Sequence, residues 1–150
     1  MLVDCKYAII SKMRVVIDTD VFVAALLGTG AANTVVAACI GGRLSPLMGA
    51  ALFAEYEDVL GRERLFSTAR LSQKEREEVF DIFLGVCSWT QIYYGWRPNL
   101  TDESDNHLIE LAVAGGAEAI VTRNVRDLSR TQLHFPGLAV LTPMQCLRRI

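Results

Sequence analysis

The chain has 150 residues, with 15 basic and 17 acidic side chains and a formal net charge of −2. Hydrophobic residues make up 51% of the chain, which excludes an intrinsically disordered protein and is typical of one compact domain. Because the net charge is slightly negative, only a local basic patch or a bound metal ion can attract a polyanion. No apolar run approaches the roughly 18 to 20 residues of a membrane-spanning helix, so no membrane association is expected.

Four cysteines are scattered along the chain without a C-x-x-C pair, which argues against a structural zinc site. They predict reduced, mostly buried thiols and a cytoplasmic location. Residues 1–12 lack the pattern of a signal peptide and are expected to form an N-terminal extension, since Met13 stands just before the first strand. Residues 13–150 are expected to form a single domain.

Strands and helices are predicted to alternate along the chain. In chain order we expect strand 14–17, helices 21–27 and 33–40, strand 43–48, helix 50–60, helix 73–86, strand 88–93, a helix from 102 to Gly115, strands 119–122 and 138–141, and helix 143–149. Ser72 and Glu75 have the spacing of a capping box at the start of helix 73–86. This alternation predicts a three-layer α/β/α sandwich around a central parallel sheet of about four or five strands.

Asp18 directly follows the first buried strand. Ligands of open parallel sheets bind outside the carboxyl ends of the strands, where this side chain is expected. The alternative is that Asp18 caps the following helix. Asp20 can fill that cap equally well, which would leave Asp18 for a functional role.

Glu55 falls on the apolar stripe of helix 50–60, in line with Leu52 and Tyr56, whereas Glu57 and Asp58 lie on the other side. A carboxylate that faces the core is unfavourable unless it is paired or bound to a metal ion. The alternative is a partly buried ion pair with Arg14 or Arg62.

Asp105 lies in the first turn of its helix and in line with Leu108, Ile109 and Ala112, so it is also expected to face inward. A helix N-terminus tolerates such a charge whatever the function. The loop after strand 119–122 adds Asn124 and Asp127, which serve equally well as turn or capping residues.

The segments that carry these acids resemble the PIN-domain family in their order, their spacing and their apolar flanks. They are the stretches 16–21, 55–60, 102–107 and 117–122, followed by the loop to Leu128. The resemblance runs from about Met13 to the C-terminus and is strongest to toxins of the VapC type, from bacterial type II toxin–antitoxin pairs.

The resemblance implies an endoribonuclease that depends on Mg²⁺ or Mn²⁺, with Asp18, Glu55 and Asp105 as acidic metal ligands. It further implies that Thr19 and Thr122 help to hold water or phosphate. Asn106 is implied as a supporting partner. Many relatives have an aspartate where this chain has Asn124. An amide can ligate Mg²⁺ through its oxygen without adding charge, so Asn124 is a candidate ligand and Asp127 its possible substitute.

The residues themselves support the same chemistry. Hard oxygen ligands favour Mg²⁺ or Mn²⁺ over zinc, and a cation held by carboxylates lowers the pKa of a bound water. No histidine is needed as a base, and His107 and His134 are expected to be surface or loop residues. Candidate contacts to RNA phosphates are Arg123 and Arg126, with Arg130, Arg62 and Arg64 as further options.

Two alternatives stay open from the sequence. Asp18-Thr19-Asp20 also looks like the start of a haloacid dehalogenase motif, although Phe22 stands where that motif has Thr or Val and the only lysines are Lys6, Lys12 and Lys74. Alternatively, Asn124 allows a catalytically weak binding module.

The resemblance also implies partners. They are an RNA substrate, a small antitoxin protein that blocks the acidic site, and a second copy of the chain in a homodimer. Aromatic residues suited to the antitoxin interface are Trp89, Tyr93, Tyr94 and Trp96.

Overall fold

The computed structural model describes residues 12–28, 30–92, 106–128 and 135–150. Its sheet has five parallel strands in the order β3-β2-β1-β4-β5. The strands are β1 (Met13–Ile17), β2 (Leu44–Met48), β3 (Ser88–Trp89), β4 (Ala119–Val121) and β5 (Ala139–Leu141). The helices are α1 (Thr19–Leu27), α2 (Ala31–Ile40), α3 (Ala50–Leu60), α4 (Gln73–Val86), α5 (Asn106–Ala114), α6 (Val125–Leu128) and α7 (Pro143–Leu147), with a 3₁₀ helix at Glu63–Phe66.

The centre of the sheet is β1, which pairs with β2 on one side and β4 on the other. Its residues Val15, Val16 and Ile17 are almost completely buried. Such a continuous apolar strand is typical of a parallel sheet covered on both faces. Right-handed crossovers place the helices between β1 and β3 on one face and α5 on the other. The predicted α/β sandwich with a parallel sheet is therefore confirmed, with five strands.

Most predicted elements are present with small shifts at their ends. Helix α3 has the expected bounds, and the capping box of Ser72 and Glu75 starts α4 as predicted. Gly115 and Gly116 end α5, and Gly116 has a φ of 66°, a backbone conformation that suits glycine. The 3₁₀ helix and α6 lie in segments that were expected to be loops.

Strand β3 is shorter than the prediction of 88–93. Thr90 still donates its backbone N–H to the Met48 carbonyl at 2.8 Å, but β2 ends at Met48 and Gly49 begins the turn into α3. Pairing stops because the neighbouring strand leaves the sheet. Residue 93 lies outside the described residues.

The described cysteines Cys39, Cys87 and Cys146 are free thiols. Burial raises the pKa of each of them, that of Cys87 to about 12. They are therefore protonated and unreactive at neutral pH. The fourth, Cys5, lies outside the described residues.

A search of the described helices for membrane spans found no single helix of sufficient length and hydropathy. Among the described residues, only α1 and α2 taken together have the length and hydropathy of a membrane span, and the two helices are bent by 105° relative to each other.

Candidate acidic site

The order of the strands reverses between the neighbouring strands β1 and β4. From β1 the chain proceeds to β2 and β3 on one side, and β4 and β5 lie on the other. Such a reversal of strand order is where open α/β sheets bind ligands. Asp18 follows β1 and Thr122 follows β4, and the Asp18 N–H donates to the Val121 carbonyl at 2.9 Å. Neighbouring strand ends thus bring these two side chains together.

Both carboxylate oxygens of Asp18 accept hydrogen bonds. Oδ1 accepts from the Thr19 backbone N–H at 2.8 Å, and Oδ2 accepts from the Thr122 hydroxyl at 2.9 Å. Burial and the negative charges of Asp20 and Glu55 together raise the pKa of Asp18 to about 7, although its hydrogen bonds act to lower it. The Asp18 carboxyl group is therefore largely buried and lies beside two other acids.

Asp20 is a second acid of the site that the sequence analysis missed. Of the two capping alternatives, the one with Asp18 is confirmed, because Asp18 occupies the cap position and α1 begins at Thr19. The Asp20 carboxylate instead accepts from the Arg123 backbone N–H at 3.1 Å, and burial raises its pKa. The available signal was its position two residues after Asp18, in the first turn of α1 and next to the end of β1.

Glu55 faces inward as predicted and is half-buried. Its Oε1 accepts from the Thr19 hydroxyl at 3.0 Å, and its Oε2 lies 2.5 Å from Nε2 of His107. The hydrogen bond from His107 is the main reason that the pKa of Glu55 is lowered.

The alternative partners proposed for Glu55 have other contacts. The guanidinium of Arg62 pairs with Asp58 at 2.5 Å, and that of Arg14 donates to the Gly116 carbonyl at 3.0 Å. The ion pair expected with either arginine is therefore replaced by the contact with His107.

A buried hydrogen bond fixes α3 against the end of β1. Tyr56 is completely buried, and its hydroxyl donates to the Ile17 carbonyl at 2.7 Å. Because Tyr56 follows Glu55 and Ile17 precedes Asp18, this bond sets the position of one acid relative to the other.

The expectation that His107 is a surface or loop residue is wrong. It lies in the first turn of α5, and only 17% of its side chain is exposed. The available signal was its position one turn before Leu111, which is buried.

The loop after β4 is organised by its own hydrogen bonds. The Asn124 backbone N–H donates to the Thr122 hydroxyl at 3.0 Å, and the Asn124 side chain donates to Asp127 at 2.5 Å. Arg123 and Arg126 are exposed at this end of the sheet. Asn124 and Asp127 thus contact one another, so each braces the loop.

Asp105 and the side chain of Asn106 lie outside the described residues. Among those described, no three His, Cys, Asp or Glu side chains form a group that holds a metal ion. The donors fit a hard cation nonetheless, because Asp18, Asp20 and Glu55 are carboxylates, and burial and the two neighbouring acids raise the pKa of Asp18.

Comparisons with known proteins agree with this architecture. A family model described as a PIN domain matches residues 14–126. Among curated proteins, none matches the chain significantly. A chain in the crystal structure of VapBC2 from Rickettsia felis, bound to a DNA fragment from their promoter, is similar with a TM-score of 0.57 and 17% sequence identity. The similarity covers 87% of this chain and 98% of that one. The family model spans most of the sequence, and the chain therefore belongs to the PIN domain family.

Proposed function

We propose that the protein is a Mg²⁺- or Mn²⁺-dependent endoribonuclease and the toxin component of a toxin–antitoxin pair. PIN domains are in general nucleases, which supports hydrolysis of phosphodiester bonds. The observation that carries the proposal is the group of carboxylates near the carboxyl ends of β1 and β4, formed by Asp18, Asp20 and Glu55. There, burial and two neighbouring acids raise the pKa of Asp18 to about 7. A group of neighbouring carboxylates of this kind favours a divalent cation.

Asp18, Glu55 and Asp105 are the proposed ligands, with Asn124 as a further candidate and Asp20 beside them. When bound, the cation supplies the positive charge that activates water and neutralises a phosphate. The protein's own part is to fix the carboxylates. Thr122 donates to Asp18 and Thr19 donates to Glu55, so each acid has a defined orientation.

Arg123 is proposed to contact the RNA backbone. Its backbone N–H donates a hydrogen bond to the Asp20 carboxylate. Together with Leu27 and Met144, Arg123 also lines an open concavity of about 560 Å³. A basic group beside an acidic metal site is suited to a phosphate next to the one that is cleaved. Arg126, two residues beyond Asn124, is proposed for the same role.

The test is cleavage of a single-stranded RNA labelled at one end, with Mn²⁺ or Mg²⁺ and with EDTA. Asp18→Asn and Glu55→Gln should each lower the rate by roughly 100-fold, or about 2.7 kcal/mol of transition-state stabilisation. Glu57→Gln is the matched control, because Glu57 lies on the exposed side of α3. Wild-type protein that cleaves no RNA with either metal, or an Asp18→Asn variant as fast as wild type, would contradict the proposal.

A catalytically weak binding module is the second candidate. The observation that favours it is the Asn124 side chain, which donates to Asp127 at 2.5 Å. This candidate predicts that Asp18→Asn leaves RNA affinity unchanged and that wild type cleaves no RNA.

The proposed partners are an antitoxin protein and a second copy of the chain. The similar Rickettsia felis structure is a VapBC2 complex, which supports an antitoxin. Trp89 is 57% exposed and contacts Phe53, and it offers apolar surface for a partner. Light scattering that detects only the monomer would contradict the proposed homodimer. A cytoplasmic location is part of the same proposal, supported by the free thiols of the described cysteines, of which Cys39 and Cys146 are buried.

A further inference from the structure

Glu55 is held on both of its carboxylate oxygens by residues from two other helices. Thr19 of α1 donates to Oε1 at 3.0 Å, and Nε2 of His107 on α5 lies 2.5 Å from Oε2. Each oxygen accepts one of these bonds and keeps capacity for another interaction. The two contacts therefore fix the orientation of the carboxylate and leave lone pairs on both oxygens available to a cation.

His107 makes this contact from a partly buried position. Among the described residues, its Nδ1 is the one buried side-chain atom of nitrogen or oxygen without a hydrogen-bond partner. A buried polar atom without a partner is unfavourable and requires an explanation. The explanation that we infer is the contact that the other nitrogen of the same ring makes with Glu55.

The chemistry of the pair assigns the ring hydrogen. An ionised carboxylate only accepts hydrogen bonds, so Nε2 of His107 must carry the hydrogen. A histidine held in one tautomer by a carboxylate is a rigid donor.

We propose that His107 is a positioning residue, which holds the Glu55 carboxylate through Nε2–H in the orientation that binds the divalent cation. This inference rests on the proposed metal site. It adds a residue to that site, to which neither the family match nor the similar structure assigns a role. Partners of this kind typically change metal affinity by roughly 10- to 100-fold.

The experiment compares His107→Leu, which removes the donor, with His107→Gln, whose amide N–H reaches a similar place. The dissociation constant for Mn²⁺ alone is measured by electron paramagnetic resonance, without RNA. His107→Leu should raise it roughly 10- to 100-fold, and His107→Gln should stay near the wild-type value. Thermal unfolding identifies a variant that does not fold, and His107→Ala is then the second donor-free variant.

A metal-free measurement tests the contact itself. The side-chain ¹⁵N spectrum of His107 should show hydrogen on Nε2, and Glu55→Gln should change that signal. An Nδ1–H tautomer would overturn the inference. So would folded Leu and Gln variants that bind Mn²⁺ equally well, since the effect would then not depend on the donor.

The outcomes separate this inference from ribonuclease activity. If wild type binds Mn²⁺, His107→Leu binds it more weakly and no RNA is cleaved, the positioning role stands and the proposed activity fails. If wild type and His107→Leu both cleave RNA and bind Mn²⁺ with equal affinity, the proposed activity stands and the positioning role is overturned. A wild-type protein that binds no Mn²⁺ overturns the inference together with the metal site.

Discussion

Asp18 and Glu55 show opposite pKa shifts within one site. Burial and neighbouring negative charge raise the pKa of Asp18, whereas the hydrogen bond from His107 lowers that of Glu55. The difference comes from the groups around each carboxylate, because only Glu55 has a histidine as a partner. In the metal-free protein, Asp18 therefore destabilises the fold once it ionises, and Glu55 does not.

The pH dependence of stability should report the Asp18 shift. The pKa of Asp18 rises from 3.8 to about 7 on folding. Its contribution to the free energy of unfolding is therefore fully present below pH 3.8 and is lost as the pH rises through 7. The upper limit of this loss of stability is about 4 kcal/mol, because a change of one pKa unit corresponds to about 1.4 kcal/mol. Asp20 acts in the same direction. Glu55 acts in the opposite direction, because its contribution is lost as the pH falls below its usual range.

Asp18→Asn should therefore stabilise the metal-free protein at pH 7.5 and flatten the fall in stability between pH 4.5 and 7.5. Urea unfolding in EDTA across this range measures both effects. Asp81→Asn, an exposed site on α4, is the control and should keep the wild-type slope. An unchanged slope in Asp18→Asn would show that burial does not raise the pKa of Asp18.

At the scale of elements, α3 and β1 are coupled by the hydrogen bond from Tyr56 to the Ile17 carbonyl. The Tyr56 ring packs at 5.4 Å against both Phe22 of α1 and Phe80 of α4. The ring therefore anchors α3 among its neighbours, while the hydroxyl sets its position along β1.

Tyr56→Phe should lower the free energy of unfolding by about 1–2 kcal/mol, because it keeps the ring contacts and leaves a buried carbonyl without its donor. Urea unfolding measures the loss. Tyr56→Leu also removes the ring and should lose roughly 2–5 kcal/mol. A Tyr56→Phe variant as stable as wild type would mean that the hydroxyl does not hold α3 in place.

At the scale of the whole molecule, α5 approaches the sheet so closely that its end requires glycine. A Cβ on Gly115 would lie 2.4 Å from Cδ1 of Leu47 and 3.0 Å from the hydroxyl of Thr90. Leu47 is only 2% exposed, so its side chain has little freedom to move away. This contact joins the helix on one face to the strand β2.

Gly115→Ala should destabilise the protein by about 1–3 kcal/mol through overpacking. Gly85→Ala is the matched control, since nothing lies within 4 Å of its Cβ position in α4. It should stabilise the helix by about 0.5–1 kcal/mol. Measured by thermal and urea unfolding, the changes in stability of the two variants should have opposite signs. Equal changes would contradict the close packing of α5.

The sequence by itself determined the order of the elements and two of the acids. Apolar runs predicted the strands, capping residues predicted α4, and the stripe on α3 predicted that Glu55 faces inward. These features are local, because each depends on residues within a few positions of one another. The assignment of residues 1–12 to an extension and of 13–150 to one domain stays a prediction, as do the roles of Asp105 and Asn106.

Only the tertiary structure decided which side chains meet. Thr122 is 104 residues from Asp18 in the sequence, and His107 is 52 residues from Glu55. Their contacts depend on which strands become neighbours and on where α5 packs, and no local pattern encodes either. For the same reason the sequence indicates only a possible cap at Asp20 and predicts a surface or loop position for His107. Burial and partners, which set the pKa of an acid and the tautomer of a histidine, arise when distant segments pack together.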